Sequence, residues 1–233
     1  MVVRLSMTVL LSIITINKDN ATGLNDTFNS ALPNQKMEEL EYIVIDGNSD
    51  DGSNKIILEN QSKLNNVIIE DDLGIFDAMN KGLRYATGKY VLFLNSGDTL
   101  YSKLEILLDV ARRGGNIDIF YSDIAIKNKR EIQINYSPLL LLYHCLNHQN
   151  MIVKRSCLAS GYDLNYKYSA DVKWQIDHLS KLKIEKLAKP ISYFDLGGLS
   201  SKKERYIVEQ IWRERWKAHY TSNGHSRLMK IIA

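Results

Sequence analysis

Asn95-Ser96-Gly97-Asp98 places a carboxylate on a short polar turn directly after a continuous apolar run, Tyr90 to Leu94. Such a run marks a strand covered on both faces of a parallel sheet. Open α/β sheets bind ligands just beyond the carboxyl ends of their strands. An acid there, preceded by small residues, can reach a divalent cation, Mn2+ or Mg2+, which in turn grips phosphates. Asp46 has the same placement. It closes the apolar run Tyr42 to Ile45 and opens the turn Asp46-Gly47-Asn48-Ser49-Asp50-Asp51-Gly52, where a carboxylate can accept a hydrogen bond from a ribose hydroxyl or a base N–H. A third cluster is Glu70-Asp71-Asp72-Leu73-Gly74-Ile75-Phe76-Asp77-Ala78-Met79-Asn80-Lys81-Gly82. Successive acids repel one another if buried, so these are expected in solvent or near a cation. Ser169-Ala170-Asp171 reads by itself as a helix start capped by Ser169 or Asp171.

The elements that hold these residues alternate. Val9 to Ile16 is the first strand, Gly23 to Leu32 a helix ending at Pro33, and Tyr42 to Ile45 the second strand. A helix with Ile56, Ile57 and Leu64 on its apolar face follows, with Ser53 or Asp51 as N-cap. Val67 to Ile69 is the third strand and Ile75 to Tyr85 a helix. Ala86-Thr87-Gly88 ends that helix, with glycine expected in the left-handed cap conformation. This is the order of a doubly wound α/β fold, a Rossmann-like, mostly parallel sheet. After Asp98 come a helix (Leu104 to Arg112), a strand (Ile117 to Tyr121), a hairpin around Lys127-Asn128-Lys129-Arg130, an apolar stretch from Pro138 to Tyr143, and a mixed region. With no repeats and no long linker, one domain is expected. Residues 8–100 form its ligand-binding half, 101–201 a second half, and 202–233 a basic amphipathic helix.

A chain of 233 residues, 45% hydrophobic and 24% charged, has the composition of an ordinary globular protein with a buried core. Its net charge of +3 gives no argument for nucleic acid. The basic residues do gather near the end, from Lys202 to Lys230, which suggests an anionic ligand or surface. With Trp212 and Trp216, a helix there suits a membrane interface or a face packed on the domain. Cys145 and Cys157 are too few for a disulfide scaffold and read as reduced thiols in a cytoplasmic protein. The run Val9 to Ile16 is far short of the ~20 residues a spanning helix needs. No signal peptide is expected.

Taken in order, these motifs resemble family-2 glycosyltransferases of the GT-A fold, from residue 8 to about 201. The turn at Asp46 is similar to the family's Asp-Gly-x-Ser-x-Asp-Gly. Asp72 to Gly82 resembles its Asp-x-Gly-x-x-Asp-Ala-x-Asn-x-Gly, and Asp98 stands where the family usually has Asp-x-Asp. The resemblance implies an inverting transferase that moves a sugar from a nucleotide diphosphate to a hydroxyl. A UDP-sugar is the favoured donor and a GDP-sugar the second. It implies donor contacts from Thr15, Asn17, Asp46 (to the base), Asp72, Asn80 and Asn95, with Asp50 and Asp51 structural. Asp98 would hold Mn2+ or Mg2+. Asp171, after the Gly161-Tyr162-Asp163 turn, would be the general base. His148 and Gly198, the latter in Phe194-Asp195-Leu196-Gly197-Gly198, would face the acceptor. The implied acceptor is a saccharide, free or linked to polyprenyl diphosphate, in bacterial surface-polysaccharide synthesis, with the enzyme at the inner membrane face. Two rivals remain at this level. A nucleotidyltransferase would need a glycine-rich loop that Ile14-Thr15-Ile16-Asn17-Lys18-Asp19 lacks. A catalytically silent sugar-nucleotide binder is suggested by the single acid at Asp98.

Overall fold

The computed structural model describes residues 8–32, 37–127, 131–136, 145–195 and 205–222. Strand and helix alternate through the first half as β1 (Leu11–Asn17), α1 (Ala21–Ala31), β2 (Leu40–Asp46), α2 (Ser53–Asn60), β3 (Asn66–Ile69), α3 (Ile75–Tyr85) and β4 (Tyr90–Phe93). The second half carries β5 (Thr99–Leu100), α4 (Leu104–Arg113), β6 (Ile119–Tyr121), β7 (Ala125–Ile126), β8 (Met151–Lys154), α5 (Ala170–His178), β9 (Ile184–Lys186), β10 (Ser192–Phe194) and α6 (Arg205–Thr221).

The main sheet has the order β3-β2-β1-β4-β8-β6-β9. Its pairs are parallel except where β8 runs against β4 and β6. Every residue of β1 and β2 is buried, so these strands lie in the middle layer. Their side chains alternate between two cores. Ile14, Ile16, Ile43 and Ile45 pack with Phe76 and Met79 of α3 and Val172 and Ile176 of α5. Leu11, Ile13, Tyr42 and Val44 pack with Leu24 and Phe28 of α1, Ile57 of α2 and Leu107 and Leu108 of α4.

From β1 the chain moves outward through β2 to β3, then returns to place β4 on the other side of β1. That reversal is the switch point at which the carboxyl ends of neighbouring strands splay into a crevice. Asn17, the last residue of β1, pairs in register with Asp46, the last of β2. Asn95 and Asp98 follow β4. A small second sheet, β5-β10-β7, lies just beyond, with β10 antiparallel to β5 and parallel to β7.

Two local expectations are corrected. Gly88 is not a left-handed cap: α3 ends at Ala86 in extended backbone, and Gly88 is absent from the positive-φ residues. Its need is steric, because a Cβ there would sit 2.5 Å from Ser12 Oγ and 2.7 Å from Ser12 N. The Gly88 N–H instead donates to Ser12 Oγ and to the buried Glu41 carboxylate, which also accepts from Thr87 and Ser12. The N-cap position of α2 is Gly52, with φ 98°. Asp51 reaches past it to accept from the N–H and Oγ of Ser53. An antiparallel bridge joins Ile124 to Ile132 across the expected hairpin, whose residues 128–130 lie outside the described ones, as do the leucines at 139–142.

Candidate active site

The crevice begins with a network of buried polar groups. Asp46 is fully buried, accepting from Asn17 Nδ2 at 2.7 Å, Ser49 N at 2.7 Å and Ser49 Oγ at 2.9 Å. Asn17 Nδ2 also reaches Ser53 Oγ at 2.9 Å. Two strand ends and the start of α2 are thereby tied into one turn. Thr15, also without exposure, bonds the Tyr42 hydroxyl at 2.8 Å. Thr15, Asn17 and Asp46, expected as donor contacts, therefore sit within the framework that shapes the crevice. Asp72 lies at its rim, accepting from Gly74 N at 2.8 Å. Its carboxylate comes so close to the Asp46 turn that a Cβ on Gly47 would meet Asp72 Oδ2 at 2.5 Å. Asn80 stands apart. Its amide clasps the backbone of Tyr162 in both directions, donating to the carbonyl at 2.9 Å and accepting from the N–H at 2.7 Å. With both ends of the amide engaged, it pins α3 to the loop before α5.

Past β4, a cavity of about 120 Å³ draws together Asn95, Asp98, His148, Gln149, Asp171 and Asp195. Asp98 is 4% exposed. Its Oδ1 accepts from Asp195 N at 2.8 Å and its Oδ2 from Gln149 Nε2 at 3.1 Å. Burial pushes its carboxyl up to about 6 against these hydrogen bonds, and the neighbouring Asp195 charge adds to the rise. Asn95 Nδ2 lies 2.9 Å from His148 Nε2. With the amide donating there, the ring proton is on Nδ1, which faces Asp171 Oδ2 at 3.8 Å, beyond hydrogen-bond length. Asn95 Oδ1, His148 Nδ1 and Gln149 Oε1 are all buried without a hydrogen-bond partner among the described residues. Unsatisfied polar atoms are costly in a protein interior. Here three belong to neighbouring side chains lining one cavity.

Asp171 is in the first turn of α5, whose N-terminus is held in a way the local sequence does not reveal. Neither Ser169 nor Asp171 caps it from the N-cap position: Ser169 makes no side-chain cap bond, and Asp171 Oδ1 accepts from the adjacent Val172 N at 2.8 Å. The N-terminus is held instead through the turn that leads into it, by Glu214 of α6. Its carboxylate accepts the N–H groups of Lys167, Tyr168 and Ser169 at 2.9, 2.8 and 2.9 Å. A negative charge at that end also suits the helix dipole.

Sequence reasoning brought Asn95, Asp98, His148 and Asp171 to one place, and the structure does collect them around one cavity. Gly198 lies outside the described residues. Asp195, Lys167 and Tyr168, which also line the cavity, went unassigned. The motif around the double glycine contained Asp195, but only the pairing of β10 with β5 and β7 brings it onto Asp98.

With this geometry in place, comparison with known proteins is decisive. Residues 12–157 match Glycosyl transferase family 2. The chain belongs to that family. A PGL/p-HBAD biosynthesis glycosyltransferase of Mycobacterium bovis is 28% identical over 184 residues, covering 73% of this chain and 72% of that protein. A putative teichuronic acid biosynthesis glycosyltransferase, TuaG of Bacillus subtilis, is 32% identical over 108 residues, 43% of this chain and 42% of its own length. Among solved structures, S. aureus TarS 1-349 in complex with UDP-GlcNAc superimposes with a TM-score of 0.69 at 21% identity, covering 94% of this chain and 75% of that one. Glucosyl-3-phosphoglycerate synthase from Mycobacterium tuberculosis, with Mn2+ and UDP, gives 0.63 at 15% identity, covering 91% and 78%. The glycosyltransferase therefore has the GT-A fold expected from its motifs, and it is related to enzymes of bacterial polysaccharide and cell-wall synthesis.

Among the described residues, no group of three or more His, Cys, Asp or Glu side chains is arranged to hold a metal ion. Asp98 and Asp195 do form a carboxylate pair at the cavity. The upward-shifted Asp98 carboxyl is the state that a cation relieves. The donor set of this glycosyltransferase thus fits a hard divalent ion completed by phosphate oxygens and water.

Proposed function

We propose that the protein transfers a glycosyl unit, with inversion, from a nucleotide-diphosphate sugar to a hydroxyl of a saccharide acceptor, in a reaction dependent on Mn2+ or Mg2+. The supporting observation is the cavity in which Asp98 and Asp171 face a common space lined by three unpartnered buried polar atoms. A UDP-sugar is the first choice of donor and a GDP-sugar the second. TarS and the mycobacterial synthase were both crystallised with UDP or a UDP-sugar.

In this reading the nucleotide lies over the Asp46 turn, with Asn17 and Ser49 fixing the turn's shape and Asp72 at its edge. Asp98 and Asp195 would hold the cation, which when bound neutralises the charge growing on the diphosphate leaving group. Asn95 orients His148 through Nε2, and His148 in turn faces Asp171. Asp171 accepts the proton of the acceptor hydroxyl as that oxygen attacks the anomeric carbon from the side opposite the diphosphate. One displacement of this kind inverts the configuration.

The acceptor is read as a saccharide, with a polyprenyl-diphosphate carrier as one form of it, and the setting as cytoplasmic at the inner membrane face. Support for the membrane contact is the outer face of α6, where Tyr206, Trp216 and Tyr220 are 66%, 46% and 80% exposed beside Arg213 and Lys217. No helix of the described residues is long and apolar enough to cross a membrane. A panel of UDP-, GDP- and dTDP-sugars, incubated with the purified protein and Mn2+, tests the activity through release of free nucleotide. One UDP-sugar should be consumed with Mn2+ and spared with EDTA. Consumption of none, or equal consumption with EDTA, would remove the metal-dependent reading.

A further inference from the structure

A second cavity, about 280 Å³, opens from the first and shares Asp171, His148 and Gln149 with it. Its outer wall is the face of α6 that carries Trp212 and Arg215. Trp212 is 37% exposed there. Arg215 lies over the indole at 5.8 Å and donates to Cys145 Sγ at 3.7 Å, which ties the ring to the Cys145 side of the cavity wall. Burial pushes the Cys145 thiol up to about 11, leaving it a protonated partner for the guanidinium and no nucleophile.

The chemistry of this lining is specific. Aromatic faces supply flat apolar area, and planar polar side chains supply directed hydrogen bonds. A pyranose presents that combination in reverse, with C–H faces and a rim of hydroxyls. His148 Nδ1 and Gln149 Oε1, both buried and unpartnered, lie where hydroxyls of such a ring would pass. Asp171 stands between the two cavities. A hydroxyl entering from the α6 side meets its carboxylate, while the first cavity holds the Asp98 end of the site. Glu214, one position before Arg215, accepts three backbone N–H groups of the turn that leads into α5. The wall and the Asp171 helix are thereby fixed to each other.

We propose that this second cavity is the acceptor subsite, that its ligand is a saccharide ring stacked on Trp212, and that α6 is its specificity-determining wall. The inference rests on the transferase reading of the first cavity.

The test uses the full-length protein with UDP and Mn2+ present, titrated with the methyl α- and β-glycosides of glucose, galactose, mannose and N-acetylglucosamine. Binding is followed by saturation-transfer NMR. At least one glycoside should bind saturably. Trp212→Ala should weaken it by about fivefold or more, and Trp212→Phe should restore most of the loss. Trp216→Ala, on the outer face, should leave it unchanged. UDP affinity, measured by calorimetry, should stay within about twofold in all three variants, which also reports their folding. Equal glycoside binding by Trp212→Ala and wild type overturns the proposal, as does failure of every glycoside to bind the wild type. Loss of the transferase reading shows separately, as a wild type that neither binds UDP nor consumes any sugar nucleotide.

Discussion

Asp98 and Asp171 share a cavity but are held by opposite means. Asp98 is buried on the turn that follows a central strand, its carboxylate oxygens engaged by the backbone N–H of Asp195, just after β10, and the amide of Gln149. Asp171 projects from the start of a helix, its Oδ2 turned toward His148. The first arrangement suits a fixed ligand for a cation; the second suits a group that must take up a proton. Asp98→Ala should therefore abolish transfer and weaken UDP binding in Mn2+, since the diphosphate would meet a site without its counter-charge. Calorimetry with UDP, with and without Mn2+, checks this. Unchanged metal-dependent affinity in the variant would mean that the cation is held elsewhere. Asp98 and Asp46 were legible because each follows an apolar run, and strand ends carry ligand sites in this architecture. What the sequence did not show is their degree of engagement. Asp46 is wrapped by Asn17 and Ser49, and Asn80 is spent on Tyr162. The Ser49 bonds are local to the turn, but Asn17 with Asp46 and Asn80 with Tyr162 are pairs whose closeness only the folded chain creates.

At the scale of elements, the alternation up to β4 was readable because buried parallel strands and amphipathic helices have distinct periods. Most boundaries moved by one or two residues, as in β2, which runs Leu40–Asp46 where the apolar run alone gave Tyr42 to Ile45; α2 stops at Asn60, short of the Leu64 expected on its apolar face. The relation of α6 to α5 was not readable. An apolar stripe with flanking arginines fits both a membrane-surface helix and, somewhat better, a packed one. The structure buries Ile207 and Ala218 and spends Glu214 on the turn that leads into α5. A contact supplied from 45 residues away in sequence, Glu214 to Ser169, leaves no local signature. Glu214→Ala should cost about 1–2 kcal/mol, much as a lost cap does, lowering Tm by roughly 3–6 °C. It should also reduce kcat for donor hydrolysis more than it raises the donor KM, because the start of α5 positions Asp171. A variant with wild-type kcat and only a lowered Tm would leave Glu214 a purely structural tie.

The whole molecule joins the carboxyl edge of the main sheet to the layer that contains α5 and α6, with the cavity at their seam. Because α6 belongs to that layer, deleting it would disturb the site as well as any membrane contact. The membrane reading is therefore better tested on the outer face of α6 alone. Replacing Arg213, Trp216 and Lys217 with serine should lower co-sedimentation with anionic vesicles, each basic residue contributing about 1 kcal/mol near such a surface. The effect should shrink as salt rises. Equal partitioning of the variant and wild type would remove this face from the account. The central claim concerns the reaction itself: one displacement at the anomeric carbon, with Asp171 as its base. Once the donor panel has supplied an α-linked UDP-sugar that the enzyme consumes, NMR of the first-formed product reads its anomeric configuration directly. The account predicts a β product, and an Asp171→Asn variant whose kcat falls by about 10²–10⁴-fold while UDP affinity holds. An α product, or near-normal turnover in Asp171→Asn, would contradict it.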